Sequence, residues 1–158
     1  MDFDINEMMR EAIKVAWRAR KHKNHPFGAI LVDKEGNILL EAENTVESDM
    51  DVTSHAERNL VSMATKKYNP EFLKDCVLVS SAEPCPMCSG AIYWSNIGTV
   101  IYGLSEQWLY EISDPLHLNS LLLSCRDVLT SGTKVVNVIG PILEDEAREP
   151  HLNFWKVN

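Results

Sequence analysis

Two cysteines three residues apart, Cys85 and Cys88, are the side chains in this sequence best suited to bind a metal ion. They lie in the stretch SAEPCPMCSG, which spans Ser81 to Gly90. If a helix begins at Pro84 or Pro86, both thiols share the face of its first turn and can bind one ion. The partial positive charge at a helix N-terminus also favours thiolates, so this spacing suits a metal site.

The segment SHAE, 30 positions before the cysteines, supplies further groups for such a site. A CxxC pair alone is equally compatible with a redox dithiol or with two ordinary cysteines. His55 offers a third metal ligand, and Glu57 offers a carboxylate. Glu57 has an alternative role in a capping box with Ser54, in which the two side chains satisfy free amides at a helix start. Only a zinc site accounts for His55 and both cysteines together.

Three protein ligands without a clear fourth are typical of a catalytic zinc, whose remaining position holds water. Such a zinc lowers the pKa of the bound water to about 7. Glu57, which is not a ligand in this scheme, then takes the proton of the water and passes it to the substrate and the departing amine. A structural zinc needs a fourth protein ligand, and the candidates lack suitable spacing: His25, Cys76, His117, Cys125 and His151.

The hydrophobic pattern predicts the elements that position these residues. An amphipathic helix is expected over INEMMREAIKVAWRAR, with Asp4 or Asn6 as its cap, followed by a hairpin of PFGAILVD and ILLEAEN around a turn at KEGN. A second helix begins near His55, and the apolar strand CVLVSS leads directly to the cysteines. There follow a helix (MCSGAIYWSN), a strand (TVIYGL), a less regular segment, a helix (LNSLLLSCRDVL), a strand (KVVNVIG) and an acidic helical end (LEDEAREPHLNFWKVN). This alternation predicts one three-layer α/β/α domain, residues 1–158, around a mixed sheet.

Composition and charge limit the partners of the protein. The 158 residues suit a single domain, and a net charge of −8 with a pI near 5.1 disfavours binding to a long polyanion. The apolar runs are too short to span a bilayer, and MDFDINEM has no basic leader, so we expect a cytoplasmic protein without membrane contact. In a reducing compartment Cys76 and Cys125, which have apolar neighbours, are expected to pack in the core as free thiols.

The combination of His55-Ala-Glu57 with Pro84-Cys85-Pro-Met-Cys88 matches the signature of zinc nucleobase deaminases. The sequence resembles the cytidine-deaminase-like superfamily, in particular the branch of guanine deaminases, bacterial tRNA adenosine deaminases and fungal-type cytosine deaminases. The resemblance covers residues 26–103, with PFGAILV, EN at Asn44, SHAE, EPCPMCSGAIYWSNI and VIYG. It implies a five-stranded sheet between helices, one Zn²⁺ per subunit and a homodimer or larger homo-oligomer.

The same resemblance implies roles for five residues that would bind the substrate. Asn44 matches an asparagine that hydrogen-bonds the base or ribose, although an asparagine at a strand end also forms turns. Phe27 and Trp94 are placed to line the base pocket, although aromatic residues at such positions often belong to the core. The peptide N–H of Ala56 and the carbonyl of Ala82 correspond to backbone contacts with the base.

The choice of substrate rests on weaker signals. PFGA, AIYWSNI and the tail GPILEDEAREPHLNFW look more like guanine deaminases and their purine or triazine relatives than like tRNA enzymes, which use basic residues to bind RNA. Guanine deaminases also use a second carboxylate to hold the amino group or shuttle protons. The segment SEQWLYEISDP offers Glu106, Glu111 and Asp114 for that role, and Glu111 is the first choice.

We therefore expect a zinc-dependent aminohydrolase that deaminates a free purine-type base, with guanine as the first candidate and xanthine and ammonia as products. Alternative substrates are cytosine, a nucleoside or a triazine, and then the adenosine of a tRNA. The alternative outside catalysis is a silent scaffold or RNA-binding member of the fold. Glu57 argues against that alternative, because a purely structural zinc site does not need this carboxylate.

Overall fold

The computed structural model describes residues 1–113 and 120–155, and within these ranges five strands form one mixed sheet. The strands are β1 (Gly28–Val32), β2 (Ile38–Glu43), β3 (Val77–Ala82), β4 (Thr99–Leu104) and β5 (Asn137–Ile139). Their order in the sheet is β2-β1-β3-β4-β5. β1 runs antiparallel to β2 and β3, whereas β3, β4 and β5 are parallel. The predicted hairpin and the five-stranded mixed sheet are thereby confirmed.

Helices cover both faces of this sheet. They are α1 (Ile5–Lys21), α2 (Val46–Asp49), α3 (Ala56–Lys67), α4 (Pro70–Lys74), α5 (Pro86–Ser95), α6 (Glu106–Ser113), α7 (Cys125–Thr130) and α8 (Glu144–Arg148), with a 3₁₀ turn at Glu149–His151. Asp4 caps α1 as predicted, because its Oδ1 accepts hydrogen bonds from the N–H groups of Asn6 and Glu7. Within the described ranges, no helix combines the length and apolar character needed to cross a bilayer.

The alternation of side chains along β1 explains the three layers. Ala29 and Leu31 point into a core shared with α3, α5 and α7, while Ile30 and Val32 point into a second core shared with α1 and α8. All five residues of β1 are buried, as expected for a strand covered by helices on both faces. The position of Gly28 requires glycine, because a Cβ there would overlap the α1 backbone at Ala16. The predicted α/β/α architecture is confirmed.

The segment between β4 and β5 differs from the prediction. The stretch expected to be irregular forms α6, whose Leu109 and Ile112 lie one turn apart and pack against the α1 side of the core. The helix expected over LNSLLLSCRDVL begins only at Cys125, because Ser124 acts as its N-cap and accepts a hydrogen bond from the N–H of Asp127. The acidic end is shorter than predicted as well, since α8 gives way to the 3₁₀ turn containing Pro150.

Candidate active site

The N-terminal end of α3 carries two of the predicted site residues. His55 is the N-cap of α3, and Glu57 lies in its first turn with only 4% of its surface exposed. In the described part of the chain no side chain caps this helix, so the capping box with Ser54 is not formed. Glu57 Oε1 instead accepts a hydrogen bond of 2.8 Å from Ser80 Oγ on β3. The carboxyl group is therefore held inside the protein, between α3 and the sheet.

The N-terminal end of α5 carries the two cysteines. Cys85 is the N-cap of α5, and Pro86 is its first helical residue, which agrees with one of the two predicted starts. Cys88 follows on the same turn and is fully buried. Because α3 and α5 pack against each other, their two N-termini meet at the cysteines and His55. Both helix ends carry partial positive charge, which stabilises thiolates.

The three predicted metal ligands fit a zinc ion. The ligand atoms of His55, Cys85 and Cys88 lie within 4.8 Å of one another, and Cys85 Sγ is 3.5 Å from His55 Nδ1. Tetrahedral zinc with ordinary Zn–S and Zn–N bonds separates a sulfur and a nitrogen ligand by about 3.6 Å. Among the described residues, no other cluster of three or more metal-binding groups is found. Four of the suggested fourth ligands lie outside this group (His25, Cys76, Cys125 and His151), and His117 lies outside the described residues.

One thiol of the site, Cys85, differs in protonation from the other three, because the hydrogen bond with Cys85 and burial raise the pKa of Cys88. A hydrogen bond from Cys88 lowers the pKa of Cys85 to about 4, so Cys85 carries a thiolate at neutral pH. Burial, by contrast, raises the pKa of Cys76 to about 11 and that of Cys125 to about 12. Both are free, buried thiols, as expected for core residues. The negative charge needed to attract a cation is therefore concentrated at the metal site.

A cavity of about 480 Å³ opens in front of the metal ligands. His55, Glu57, Cys85, Asn44 and Phe27 are among the residues that line it. This volume lies in the range of sites for small molecules. A more open groove of about 550 Å³ lies over β2 and α3, and none of its lining residues belongs to the metal site. Glu57 is therefore accessible from a cavity that can hold a small molecule.

The sequence match decides the family of this zinc site. Residues 3–104 match the family model described as the cytidine and deoxycytidylate deaminase zinc-binding region. The chain belongs to this deaminase family. Its members are zinc-dependent hydrolases, and the cluster of His55, Cys85 and Cys88 is a group that could hold such an ion.

Relatives of this deaminase differ in the substrates in their names. A probable cytosine deaminase of Schizosaccharomyces pombe is 44% identical over 153 residues, which cover 93% of this chain and 90% of the relative. The guanine deaminase of Bacillus subtilis is 47% identical over 101 residues, or 57% of this chain and 64% of the relative. The guanine deaminase of Nitrosomonas europaea superimposes with a TM-score of 0.76, at 21% identity, over 91% of this chain and 82% of its own. At 21% identity, this last comparison shows a shared fold only.

Asn44 of the deaminase forms the turn considered for it and also lines the cavity. Its Oδ1 accepts a hydrogen bond of 3.0 Å from the N–H of Val46, which is a turn contact at the end of β2. Its backbone N–H donates to the carbonyl of Phe27 at 3.1 Å, which ties it to the start of β1. Among the described residues no partner engages Nδ2, and the residue lines the cavity. Asn44 can therefore donate a hydrogen bond to a ligand while the turn holds it in place.

Two predicted substrate contacts are corrected by the structure. Trp94 is 81% exposed and does not line the cavity, because it lies about 13 Å along α5 from Cys85 and on the opposite side of the helix. Glu111, the first choice for the second carboxylate, is exposed and accepts a hydrogen bond from Gln107. Its neighbour Glu106, five residues earlier on α6, lines the cavity instead. Asp114 lies outside the described residues.

The two predicted backbone contacts lie beside the cavity without lining it. Ala56 is fully buried at the start of α3, and Ala82 is buried at the end of β3. The carbonyl of Ala82 accepts a hydrogen bond of 2.6 Å from Ser80 Oγ, the same hydroxyl that contacts Glu57. A hydroxyl has one proton, so it serves these two acceptors in turn. Contact of Ala56 and Ala82 with a base stays a prediction.

Several residues that line the cavity were not predicted for this role. Glu83 directly precedes the Pro84-Cys85 pair, and a charged residue at the carboxyl end of a buried parallel strand is a signal that the sequence does contain. His25, Leu109 and Trp155 also line the cavity. No local sequence pattern places Trp155 at the cavity, because its position depends on the path of the chain after α8.

Trp155, near the C-terminus, lines the cavity and contacts a buried histidine behind it. Trp155 Nε1 donates a hydrogen bond of 3.0 Å to His151 Nδ1, and the His151 ring contacts Phe27 with a centroid distance of 5.1 Å. His151 is 3% exposed, and burial lowers its pKa to about 4. A neutral imidazole that accepts at Nδ1 carries its proton on Nε2. The hydrogen bond that orients Trp155 therefore exists only while Nδ1 of His151 is unprotonated.

This buried imidazole predicts a pH dependence of stability. As pH falls below about 6.5, the unfolded chain protonates His151, whereas the folded protein does so only near pH 4. The free energy of unfolding should therefore fall by about 3 kcal/mol from this residue alone between pH 7 and pH 4. Urea unfolding of the wild type and of His151→Gln across this range measures the difference. Parallel pH profiles for the two proteins would contradict the assignment.

Proposed function

We propose that the protein catalyses the hydrolytic deamination of a free nucleobase, with guanine as the first candidate substrate. The observation that carries this proposal is the placement of Glu57, a buried carboxyl group that faces the cavity beside the three zinc ligands. Burial raises its pKa, which brings the carboxyl closer to the protonation equilibrium that a general acid and base needs near neutral pH.

In the proposed reaction the protein moves two protons. Zinc, when bound by His55, Cys85 and Cys88, supplies a water molecule of lowered pKa. Glu57 accepts one proton of this water and gives it to the ring nitrogen beside the amine-bearing carbon. It then carries the second proton to the amino group, which leaves as ammonia while the carbon keeps the oxygen. Ser80 holds Oε1 of Glu57 and so limits rotation of the carboxyl group.

The charge of the cavity supports a free base over a nucleic acid. Three carboxyl groups line it, from Glu57, Glu83 and Glu106, and the whole chain has a net charge of −8. Phosphate groups at the entrance would be repelled by the net negative charge of the chain, and the basic run WRARKHK at residues 17–23 does not line the cavity. An uncharged base avoids that repulsion, and its flat ring suits the apolar wall of Phe27 and Trp155.

Glu106 supports a base that carries a lactam, meaning a ring N–H next to a carbonyl. Burial, together with the nearby Glu83 carboxylate, raises the pKa of Glu106 to about 8, so this group is a neutral acid at pH 7. A neutral carboxyl group both donates and accepts, so it can pair with a ring edge that presents a donor beside an acceptor, as the lactam edge of guanine or cytosine does. The cavity has room for a purine, and the Bacillus subtilis relative is a guanine deaminase. Cytosine is the second candidate, because the relative from Schizosaccharomyces pombe is named a probable cytosine deaminase.

A panel of substrates tests this proposal. Ammonia release by the zinc-loaded protein is measured with guanine, cytosine, adenine, their nucleosides, a triazine and a tRNA anticodon hairpin. We expect the highest kcat/KM with guanine and background release with the hairpin. Turnover of cytosine without turnover of guanine would replace the first candidate by the second. Zinc-loaded protein that is inactive on the whole panel would instead favour a scaffold or RNA-binding role.

The cytoplasmic location and the assembly into a homodimer or larger homo-oligomer also stay predictions. An acidic enzyme acting on a small base needs neither a membrane nor a nucleic acid partner.

A further inference from the structure

Glu83 makes an unusual pair of hydrogen bonds beside the zinc site. Its side chain is buried, and the residue is 8% exposed. Oε1 accepts from the N–H of Glu106 at 3.0 Å, and Oε2 accepts from the N–H of Cys125 at 2.9 Å. These two donors are the first residues of α6 and α7. One carboxylate therefore contacts the starts of two helices that are separate in the sequence.

The parallel strands place Glu83 at this position. β3 and β4 run side by side, so their carboxyl ends lie at the same edge of the sheet. The pairing extends one residue beyond β3, because the N–H of Glu83 donates to the carbonyl of Leu104 at 2.7 Å. The chain after β4 enters α6 at Glu106, within reach of the Glu83 side chain. α7 packs on α5, which begins just after Glu83, and this brings Cys125 to the other oxygen.

The two contacts suit a buried carboxylate energetically. A buried charge is costly unless it is fully hydrogen-bonded, and here each oxygen has a backbone donor. Both donors belong to helix N-termini, whose partial positive charge stabilises an anion. Hydrogen bonds to a charged group contribute more than those between neutral groups. Loss of one of them leaves a buried N–H without its partner, which carries a penalty of its own.

We infer that Glu83 is a positioning residue that holds α6 and α7 against the zinc-binding turn and thereby sets the shape of the substrate cavity. Glu106 and Leu109 on α6 and Leu121 before α7 all line that cavity. The Glu83 side chain links these walls directly to the turn that carries Cys85, two residues away. This role rests on the proposed function, since it assigns Glu106 to the binding of a base. It does not require Glu83 to contact the base itself.

Glu83→Gln tests the inference, since glutamine keeps the size of the side chain but offers one acceptor oxygen in place of two. Hydrogen exchange of the zinc-loaded protein should show at least tenfold faster exchange at the amide of Glu106 or Cys125. The KM for guanine should rise about tenfold while kcat changes less than threefold and zinc content stays at one per chain. Glu83→Asp, which keeps both oxygens and the charge, should recover part of the loss, and it serves as the second variant if Glu83→Gln does not fold.

Glu144→Ala is the matched control, because alanine removes the one acceptor that this residue supplies, whereas glutamine would keep it. Glu144 Oε2 accepts a hydrogen bond of 3.1 Å from the N–H of Ser105, just before α6, but Glu144 does not line the cavity. This variant should speed exchange at Ser105 and leave the KM for guanine unchanged. An equal rise in KM for both variants would mean that any loosening of α6 has the same effect, and the special role of Glu83 would be rejected.

Two outcomes separate this inference from the proposed function. Unchanged exchange at both Glu106 and Cys125 in Glu83→Gln overturns the inference, whatever the substrate is. Faster exchange with an unchanged KM overturns the link to the cavity and leaves Glu83 a purely structural residue. If the wild type does not deaminate guanine, the proposed substrate is wrong, and the kinetic comparison is repeated with cytosine. The hydrogen-exchange result tests the role of Glu83 in either case.

Discussion

The variant Glu57→Gln is expected to bind zinc at the wild-type level and to lose about 10³-fold or more in kcat. Glutamine fills the same buried space, and its Oε1 can still accept the hydrogen bond from Ser80. It cannot take up and release a proton, and general acid and base catalysis contributes roughly 10²–10⁴-fold to such reactions. Zinc per chain is measured by elemental analysis, and ammonia release is measured on the same samples with the best base of the panel.

A carboxylate on α6 provides the control for this loss. Glu111 is exposed, accepts a hydrogen bond from Gln107 and does not line the cavity, so Glu111→Gln should keep full activity. A tenth or more of the wild-type rate in Glu57→Gln would show that another group moves the protons. A large loss in Glu111→Gln would show that the placement of α6 in solution differs from the one described here.

The zinc ligands and Glu57 could be predicted from the sequence because their chemistry fixes residue types at short intervals. Two thiols on one helical turn and a histidine two residues before a glutamate leave few alternatives once the helix starts are known. The prolines around Cys85 mark one start, and the beginning of a helix near His55 marks the other. The strands of the sheet could be predicted equally well, because the continuous apolar runs of β1 and β3 are typical of strands buried on both faces.

The residues that line the cavity were harder to predict, because their positions depend on tertiary structure more than on local sequence patterns. The choice between Glu106 and Glu111 depends on recognising α6 as a helix, because five residues along a helix turn the side chain to another side. Trp94 belongs to the helix that carries the cysteines, yet the direction of α5 takes it away from them. Glu83 and Trp155 reach the cavity through the tertiary arrangement, which a local pattern does not encode.

The second large effect is expected from the zinc ligands themselves. His55→Ala and Cys88→Ala should each lose most of the bound zinc and reduce ammonia release to background, because two remaining protein ligands hold the ion weakly. The chelator-treated wild type should resemble them in thermal stability, since an ion that binds only the folded state stabilises it. Zinc content, melting temperature with and without added zinc, and ammonia release are measured together.

Cys76→Ala separates loss of zinc from loss of a buried thiol. Cys76 is 1% exposed and lies outside the metal cluster, so its removal should lower the melting temperature while zinc content and kcat stay at the wild-type level. Added zinc should raise the melting temperature of chelated wild type and of chelated Cys76→Ala by the same amount, and that of Cys88→Ala by much less. Full zinc occupancy in both His55→Ala and Cys88→Ala would mean that the ion is held by other residues, and the catalytic assignment of Glu57 beside it would then lose its basis.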